Sequence, residues 1–287
     1  MPQVDEQLKR GRAPRGRGLL ESALSVVHSG SWMARLWGLW PGSTRVQVVR
    51  HELGLLPPGS PRLLVAFLSD IHIGPTTPPA LLDNAFELVE RATPDVVVLG
   101  GDYLFLSATD ARLAELERRV GNLTAPVKLA ILGNHDLWSD FRAIERALER
   151  GGAELLTNRS RRLPAPHEEV AFVGLDEPQW GVPDPNAAVA HCGDAALRLG
   201  VCHSPDGLDL LADAGLALLL CGHTHGGHIA TPWGAPFVPG RAGRRYPHGL
   251  HRVGETHLYV SRGLGGISIP FRTWAPPDVG IIELRGV

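Results

Sequence analysis

One pattern in the chain constrains its fold more than any other: a short apolar run, typical of a buried strand, ends abruptly in residues that bind metals. The first such run leads from Val65 into Asp70-Ile71-His72-Ile73-Gly74. Residues i and i+2 of an extended chain point to the same side, so we expect Asp70 and His72 to face one cation where the strand ends. Alone, this stretch is equally compatible with a turn-capping Asp beside a surface His.

Four further apolar runs end in the same way, and their recurrence in order argues against a chance arrangement. Ligands bind beyond the carboxyl ends of the strands in open α/β sheets, so five such ends are expected to converge on one site. The four further ends are Gly100-Gly101-Asp102, Gly133-Asn134-His135-Asp136, Cys202-His203-Ser204 and Gly222-His223-Thr224-His225.

The side chains collected in this way are too many for one cation and suit two cations that share a carboxylate. They are Asp70, His72, Asp102, Asn134, His203, His223 and His225. Asp102 lies between the two halves of the set and is the natural bridge. Imidazole, carboxylate and amide ligands without thiolate favour Mn²⁺, with Fe or Zn²⁺ as alternatives. Two such ions about 3.5–4 Å apart lower the pKa of a shared water and clamp the oxygens of a phosphoryl displacement, which indicates hydrolysis of a phosphate ester.

These blocks, from about residue 63 to the C-terminus, resemble the signature of the calcineurin-like metallophosphoesterases. The resemblance implies an α/β fold of the four-layer αββα sandwich type and a metal-bridging hydroxide as nucleophile. It implies that His135 contacts the phosphate and protonates the leaving oxygen, with Asp136 as its orienting partner. It also implies two ligand sets that share one carboxylate: Asp70, His72, Asp102 and His225 for the first metal, and Asp102, Asn134, His203 and His223 for the second.

The sequence of the loop after Asp102 indicates which subfamily the chain resembles. Protein Ser/Thr phosphatases of this fold continue with Val-Asp-Arg-Gly one residue later, whereas residues 103–106 here read Tyr-Leu-Phe-Leu, without the arginine that grips a phosphomonoester. The C-terminal stretch that contains Arg262 and Arg272 resembles a bacterial phosphodiesterase branch whose members often carry an N-terminal membrane segment. Some relatives in that branch hydrolyse the pyrophosphate of UDP-diacylglucosamine. Each arginine is open to two interpretations, a substrate contact or a structural role.

A dinuclear metal-dependent phosphodiesterase is therefore our leading hypothesis, acting on a phosphodiester, with a nucleotide-lipid among the candidates. A phosphomonoesterase or protein phosphatase is disfavoured by the loop after Asp102. A catalytically silent binding module of the same fold is disfavoured because all seven ligand positions and His135 are intact. The formal charge of −2 predicts no specific nucleic-acid binding.

The first fifty residues differ in composition from the rest, which predicts a segment of residues 1–50 and a metallophosphoesterase domain of residues 51–287. The segment holds eight Lys and Arg against three Asp and Glu. Residues 1–18 are predicted to be a disordered basic arm, and residues 19–40 are rich in Trp and Leu. This part lacks the clean apolar core of a secretory signal, and no apolar run of the chain is long enough to cross a membrane.

Two interpretations of residues 19–40 stay open: contact with an anionic membrane surface, or packing on their own domain. We expect a cytoplasmic protein, which in the first case is peripheral at the inner face of the membrane. The three cysteines form no C-x-x-C pair, so they are expected to pack in the core, in a reducing compartment.

The remaining patterns predict strands alternating with helices, and then a C-terminal part without helices. Helices are predicted over residues 79–92, 108–120, 141–149, 186–197 and 207–214. A loop with short hairpin pieces is predicted over residues 226–250. Strands are predicted over residues 46–53, 63–69, 95–99, 127–132, 168–175, 199–202, 216–221, 256–261, 266–269 and 279–284.

Overall fold

The computed structural model describes residues 10–11, 16, 23–40 and 42–287. Its strands are β1 (Gln47–Leu56), β2 (Leu63–Leu68), β3 (Val96–Leu99), β4 (Val127–Ala130), β5 (Glu154–Leu155), β6 (Arg159–Arg162), β7 (Val170–Gly174), β8 (Leu197–Val201), β9 (Leu218–Cys221), β10 (Gly249–Val253), β11 (Thr256–Val260) and β12 (Asp278–Gly286). They form two six-stranded sheets, with the strand orders β1-β12-β2-β3-β4-β5 and β10-β11-β9-β8-β7-β6.

Short and medium helices connect the strands. They are α1 (Trp32–Gly38), α2 (Pro79–Ala92), α3 (Asp110–Gly121), α4 (Asn134–Leu137), α5 (Phe141–Arg150), α6 (Pro185–Val189), α7 (Gly207–Leu210) and α8 (Arg241–Arg245). Residues 23–27 are also helical. Three 3₁₀ turns lie at Ser29–Ser31, Ala212–Ala214 and His225–Gly227.

The centre of each sheet is parallel. β2, β3 and β4 run parallel in the first sheet, and β7, β8 and β9 run parallel in the second. Strands β2, β3 and β9 are buried along their whole length, because helices cover one face of each sheet and the other sheet covers the opposite face. The residues that follow the parallel strands are therefore delivered to the same edge of each sheet.

Three apolar clusters separate four layers. The first packs α2, α3 and α5 on the outer face of the first sheet, through Leu82, Leu116 and Ile144 among others. The second fills the space between the sheets, where Phe67 of β2 and Phe172 of β7 are fully buried. The third covers the outer face of the second sheet. The predicted four-layer αββα sandwich is confirmed.

The helix predicted over residues 186–197 is present only in its first part. Helix α6 ends at Val189, and Leu197 already belongs to β8. Between them, Gly193 has a φ of +57°, in the left-handed region that an α-helix does not contain. The glycine therefore marks a turn into the next strand.

The strand predicted over residues 266–269 is wrong. Gly266 donates its N–H to the Thr77 hydroxyl (3.0 Å), and its carbonyl accepts a hydrogen bond from the Thr76 hydroxyl (2.7 Å). Side chains thus satisfy backbone groups that a neighbouring strand would otherwise pair. The segment is a loop, and its Ser268 carbonyl lies 3.0 Å from Nε2 of the buried His28.

Other predicted elements are present with shifted bounds. The helix predicted over residues 207–214 divides into α7 and the 3₁₀ turn Ala212–Ala214, and residues 226–250 contain α8 besides loop. Strand β6 reads Arg-Ser-Arg-Arg, which has no apolar alternation that would indicate a strand. The three cysteines are buried and form no disulfide, which confirms their predicted place in the core.

Some of the described residues near the N-terminus contact the body of the protein. Arg10 forms an ion pair with Asp176 (3.0 Å). Trp37 contacts Phe271, with ring centroids 5.9 Å apart. No helix within the described ranges is long and apolar enough to cross a membrane.

The remainder of the predicted basic arm, residues 1–9, 12–15 and 17–18, lies outside the described residues. Strand β1 begins at Gln47, opposite Asp278 of β12, and runs through the predicted boundary after residue 50. The division into residues 1–50 and 51–287 stays a prediction.

Replacing Phe67 by Ala should lower the free energy of unfolding by about 3–5 kcal/mol, because the ring is fully buried between the sheets, edge-to-face with Tyr259. Urea unfolding followed by circular dichroism measures the loss. Phe237→Ala is the matched control: it removes the same atoms from a ring that is 73% exposed, so its effect should stay within about 0.5 kcal/mol. Equal losses in both variants would contradict this position of Phe67.

Candidate metal centre

The seven predicted ligands lie together where strands from both sheets end. Asp70 and His72 follow β2, Asp102 follows β3, and Asn134 begins α4 after β4. The second sheet contributes His203 after β8, and His223 and His225 after β9. All seven are buried except His223, which is half-buried. The convergence of strand ends expected from the sequence is therefore present.

One corner of the site brings together Asp70, His72 and His225. Oδ1 of Asp70 lies 3.2 Å from Nε2 of His225, and the two Nε2 atoms of His72 and His225 lie 3.3 Å apart. The facing ring nitrogens and the carboxylate oxygen are donor atoms of the kind that hold a divalent cation.

The Asp102 carboxylate lies between this corner and a second one. Its Oδ2 is 3.7 Å from Nε2 of His72 and 3.2 Å from Nε2 of His203. Its Oδ1 accepts the backbone N–H of His135 (2.8 Å). One carboxylate oxygen therefore faces imidazoles from both sheets, as a bridging ligand requires.

His203 is oriented for binding by a backbone carbonyl. Its Nδ1 lies 2.7 Å from the carbonyl oxygen of Gly100, and because a carbonyl only accepts, Nδ1 carries the hydrogen. Nε2 is then the nitrogen that offers a lone pair to an ion, the usual arrangement for a ligating histidine.

Two buried atoms bear on whether a metal fits. Asn134 Oδ1 forms no hydrogen bond with the described residues, whereas Nε2 of His203 lies 3.2 Å from Oδ2 of Asp102. Buried polar atoms nearly always have a partner, so Asn134 Oδ1 indicates a missing one. A set of imidazole, carboxylate and amide donors fits a divalent cation, and the residues present are compatible with Mn²⁺, Fe or Zn²⁺.

The protonation states of the histidines are compatible with a bound divalent cation. Burial lowers the pKa of His72 to about 4 and that of His223 to about 3. Burial and the nearby Arg272 guanidinium hold the pKa of His225 well below its usual value. Burial alone would also lower the pKa of His203, but the Asp102 carboxylate outweighs it and raises the value to about 10. Three imidazoles are thus neutral, as ligands must be, and the fourth must release a proton to an incoming cation.

The backbone of the site is strained. Positive φ angles occur at Asp70 (+52°), His72 (+47°), Asp102 (+58°), His223 (+69°) and His225 (+52°). Non-glycine residues rarely adopt this region, and such strain persists only where the surrounding structure enforces it.

These angles correct the expectation that Asp70 and His72 lie on an extended chain. Strand β2 ends at Leu68, so Asp70 and His72 are not part of an extended chain and do not face one side because of a β pleat. Left-handed turns bring them together instead. The expected proximity is present for a different geometric reason.

Asp136, predicted as a catalytic residue, holds the backbone of the site. Its carboxylate accepts N–H groups from Asp102 (2.7 Å), Tyr103 (2.8 Å) and Gly133 (2.9 Å). Burial raises its pKa to about 7. The sequence did not indicate that Asp136 binds these backbone groups. Its predicted role in orienting His135 stays a prediction.

His135 lines a cavity of about 280 Å³ beside the predicted ligands. Its ring lies edge-on to that of His72, with centroids 4.8 Å apart, and 4.9 Å from the ring of Trp138. The side chain is half-buried and thus accessible from the cavity.

The two C-terminal arginines are bound to the protein itself. Arg262 forms an ion pair with Asp278 (3.0 Å). Arg272 donates to the carbonyls of Gly265 (2.6 Å) and Arg262 (2.7 Å), and its Nη2 lies 3.0 Å from Nδ1 of His225. Of the two interpretations left open, these contacts favour the structural one.

Sequence reasoning overlooked His228, the third histidine of the segment from Gly222. It is buried and lines the same cavity, and its ring lies 5.6 Å from that of His225. Its φ is +57°, so it shares the strained backbone of the predicted ligands. The spacing of three histidines around a Gly-Gly pair was the available signal.

The chain belongs to the calcineurin-like phosphoesterase family, whose signature matches residues 63–227, more than half of its length. The matched region begins at β2 and ends just after the His225 turn, and so contains all seven predicted ligands.

Several curated proteins are similar over most of the chain. Phosphodiesterase YaeI of Escherichia coli is 29% identical over 93% of this chain and 98% of its own length. The uncharacterized metallophosphoesterase YkuE of Bacillus subtilis is 28% identical over 84% of this chain and 86% of its own. A transmembrane protein with metallophosphoesterase domain from Danio rerio is 27% identical over 87% of this chain and 60% of its own. These relatives support a metal-dependent hydrolase of phosphate esters.

Replacing Asp102 by Asn should weaken metal binding at both corners of the site, because the carboxylate oxygen faces His72 and His203 together. His225→Ala should chiefly loosen the corner that contains Asp70. Metal analysis of the purified variants after dialysis against Mn²⁺ measures this difference. The control is Asp213→Asn, which alters an exposed carboxylate outside the site and should retain full metal content. Full metal content in Asp102→Asn would remove Asp102 from the bridging position.

Proposed function

We propose that the protein is a phosphodiesterase that works with two divalent metal ions. The observation that carries the proposal is the position of Asp102, whose Oδ2 lies within 3.7 Å of His72 and 3.2 Å of His203, imidazoles delivered by two different sheets. This arrangement supports two neighbouring cation positions with a shared carboxylate.

Each position has its own proposed ligands. The first comprises Asp70, His72, Asp102 and His225, and the second comprises Asp102, Asn134, His203 and His223. Mn²⁺ is the ion we favour, with Fe or Zn²⁺ as alternatives. Two bound cations would lower the pKa of a bound water and neutralise charge on a phosphoryl group.

The cavity wall favours a diester over a monoester. Among the described residues that line it, none is Lys or Arg, whereas Phe105, Leu106, Phe237 and Ile267 are apolar. A phosphomonoester carries a charge of about −1.5 to −2 at pH 7, and cationic side chains beside the metals would favour it over a diester. A diester carries a single charge and a second organic group, which an apolar wall can contact.

His135 is the residue we assign to the leaving group. Its half-buried ring borders the cavity beside His72, and its backbone N–H donates to Asp102, which fixes the start of α4. From this wall the imidazole can reach the departing oxygen and supply its proton. Asp136 supports this geometry by holding the turns that carry Asp102 and Gly133.

The comparison with YaeI of Escherichia coli, a named phosphodiesterase, supports the same reaction class. We place a nucleotide-lipid among the candidate substrates, and we propose peripheral contact of residues 1–50 with the inner face of the membrane. The exposed side chains of Trp32, Leu36 and Trp40 support that contact.

A substrate panel tests the proposal. With Mn²⁺ supplied, we expect a higher kcat/KM for bis-p-nitrophenyl phosphate than for p-nitrophenyl phosphate, and turnover of a UDP-lipid if the substrate is a nucleotide-lipid. Chelation should abolish turnover, and added Mn²⁺ should restore it. A preference for the monoester would support a phosphomonoesterase. Full metal content without turnover of any ester would support a silent binding module.

Replacing His135 by Ala should leave both metals bound and reduce turnover by about 10²–10⁴-fold for a diester with a poor leaving group. A p-nitrophenolate leaving group scarcely needs the proton, so its hydrolysis should suffer less. The measurement is kcat on an activated and an unactivated diester at equal metal content. Equal losses on both would mean that His135 only positions the phosphate. A parallel loss of metal would make it a ligand or a structural residue.

A further inference from the structure

A group of exposed apolar side chains lies in segments that also supply residues to the cavity wall. Trp233 is 92% exposed and Trp40 is 66% exposed, although monomeric proteins usually cover side chains of this size. The group, which we term the apolar rim, consists of Leu36, Trp40, Trp233, Phe237, Phe271 and Trp274.

The rim is continuous although its residues come from three segments. Trp37 stacks on Trp40 and also contacts Phe271, which joins the N-terminal segment to the loop around residue 271. The backbone N–H of Ala230 donates to the carbonyl of Thr273 (2.9 Å), which joins that loop to the segment that carries Trp233.

The rim also reaches the candidate metal centre. Phe237 lines the same cavity as His135 and His225, and so does Leu24 of the N-terminal segment. The rim and the cavity wall therefore share Phe237.

The backbone presents two of the tryptophans outward. Trp233 lies at the tip of a tight turn that two hydrogen bonds between Thr231 and Gly234 close (2.9 and 3.1 Å). Trp274 has a φ of +54°, which is rare for a bulky residue, and its side chain is 69% exposed. A backbone conformation of this kind persists only where the surrounding structure enforces it, so the exposure of the Trp274 ring is a fixed feature of the fold.

Positive charge predominates in the segments that carry the rim, although Arg252 is paired with Glu255 and Arg262 with Asp278. Residues 226–277 contain six Arg and a single acidic residue, Glu255, and residues 22–46 contain two Arg and no acidic residue. The arginines of α8, at positions 241, 244 and 245, are exposed. A positive surface with protruding Trp complements an anionic lipid surface, because Trp favours the boundary between headgroups and acyl chains.

We propose that the apolar rim seats the protein on an anionic lipid bilayer with the cavity mouth toward the headgroups. Its substrate is then a phosphodiester within a lipid headgroup, which enters along Phe237. The substrate class rests on the proposed phosphodiesterase activity, whereas the docking surface does not. A lipid surface is favoured over a protein partner because the segment that exposes Trp233 also exposes the three arginines of α8, a combination that suits the boundary between anionic headgroups and acyl chains.

Co-sedimentation of the full chain with vesicles tests the docking surface. Wild type should bind vesicles of phosphatidylcholine and phosphatidylglycerol, bind pure phosphatidylcholine more weakly, and lose binding as salt rises. The double variant Trp233→Ser/Trp274→Ser should lower the vesicle-bound to free ratio by about tenfold or more. Neither residue lines the cavity, so hydrolysis of soluble bis-p-nitrophenyl phosphate should remain unchanged. Leu210→Ser, which alters an exposed leucine outside the rim, should leave both measurements unchanged.

Several outcomes would contradict the proposal that the rim is a docking surface for lipid. These are a wild type that stays in the supernatant at low salt, a double variant that binds like wild type, or a double variant that also loses turnover of the soluble diester. Self-association that the double variant abolishes, without vesicle binding, would assign the rim to a second copy of the chain. Vesicle binding by a wild type that hydrolyses no diester would reject the proposed activity and leave the docking surface in place.

Discussion

A single buried carboxylate, that of Asp136, holds the turns on which the rest of the site depends. It accepts three backbone N–H groups, from Asp102, Tyr103 and Gly133. Each of these donors would otherwise be buried without a partner, at a cost of about 1–3 kcal/mol. The donors belong to the ends of β3 and β4, so one side chain fixes the spacing between two neighbouring strand ends. The Asp102 carboxylate, and with it the geometry of the whole site, follows from that spacing.

The backbone at two glycines lies so close to the carboxylates of the site that it helps to hold the same turns. A Cβ atom on Gly133 would lie 2.2 Å from Oδ1 of Asp102, and one on Gly222 would lie 2.4 Å from Oδ2 of Asp70. No side chain fits at these distances, so the two carboxylates are packed against bare backbone. The strained φ angles of the neighbouring residues persist because the surrounding chain leaves no alternative conformation.

The alternation of strands and helices and the members of the candidate site could be predicted because the apolar runs and the polar strand ends are local patterns, whereas the four-layer type of the sandwich was implied by the family resemblance. The turn that ends α6 near Gly193 and the loop at Gly266 could not, because they depend on a left-handed glycine and on hydrogen bonds from distant threonines. The left-handed turns at Asp70 and His72 were beyond sequence reasoning for the same reason. Asp and His adopt a positive φ more often than most residues, but the residue type alone does not fix it, since tertiary contacts impose it. His228 was predictable in principle, since only its place in a histidine-rich segment was needed.

The origin of the predicted ligands in two different sheets has a consequence for folding. Asp70, Asp102 and Asn134 follow strands of the first sheet, whereas His203 and His223 follow strands of the second. Neither sheet alone can assemble the donor set, so an ion at this site would bind with full affinity only after the layers have packed. By mass action, such an ion would stabilise the finished sandwich relative to the unfolded chain. The stability of the packed layers would then depend on the supply of the metal.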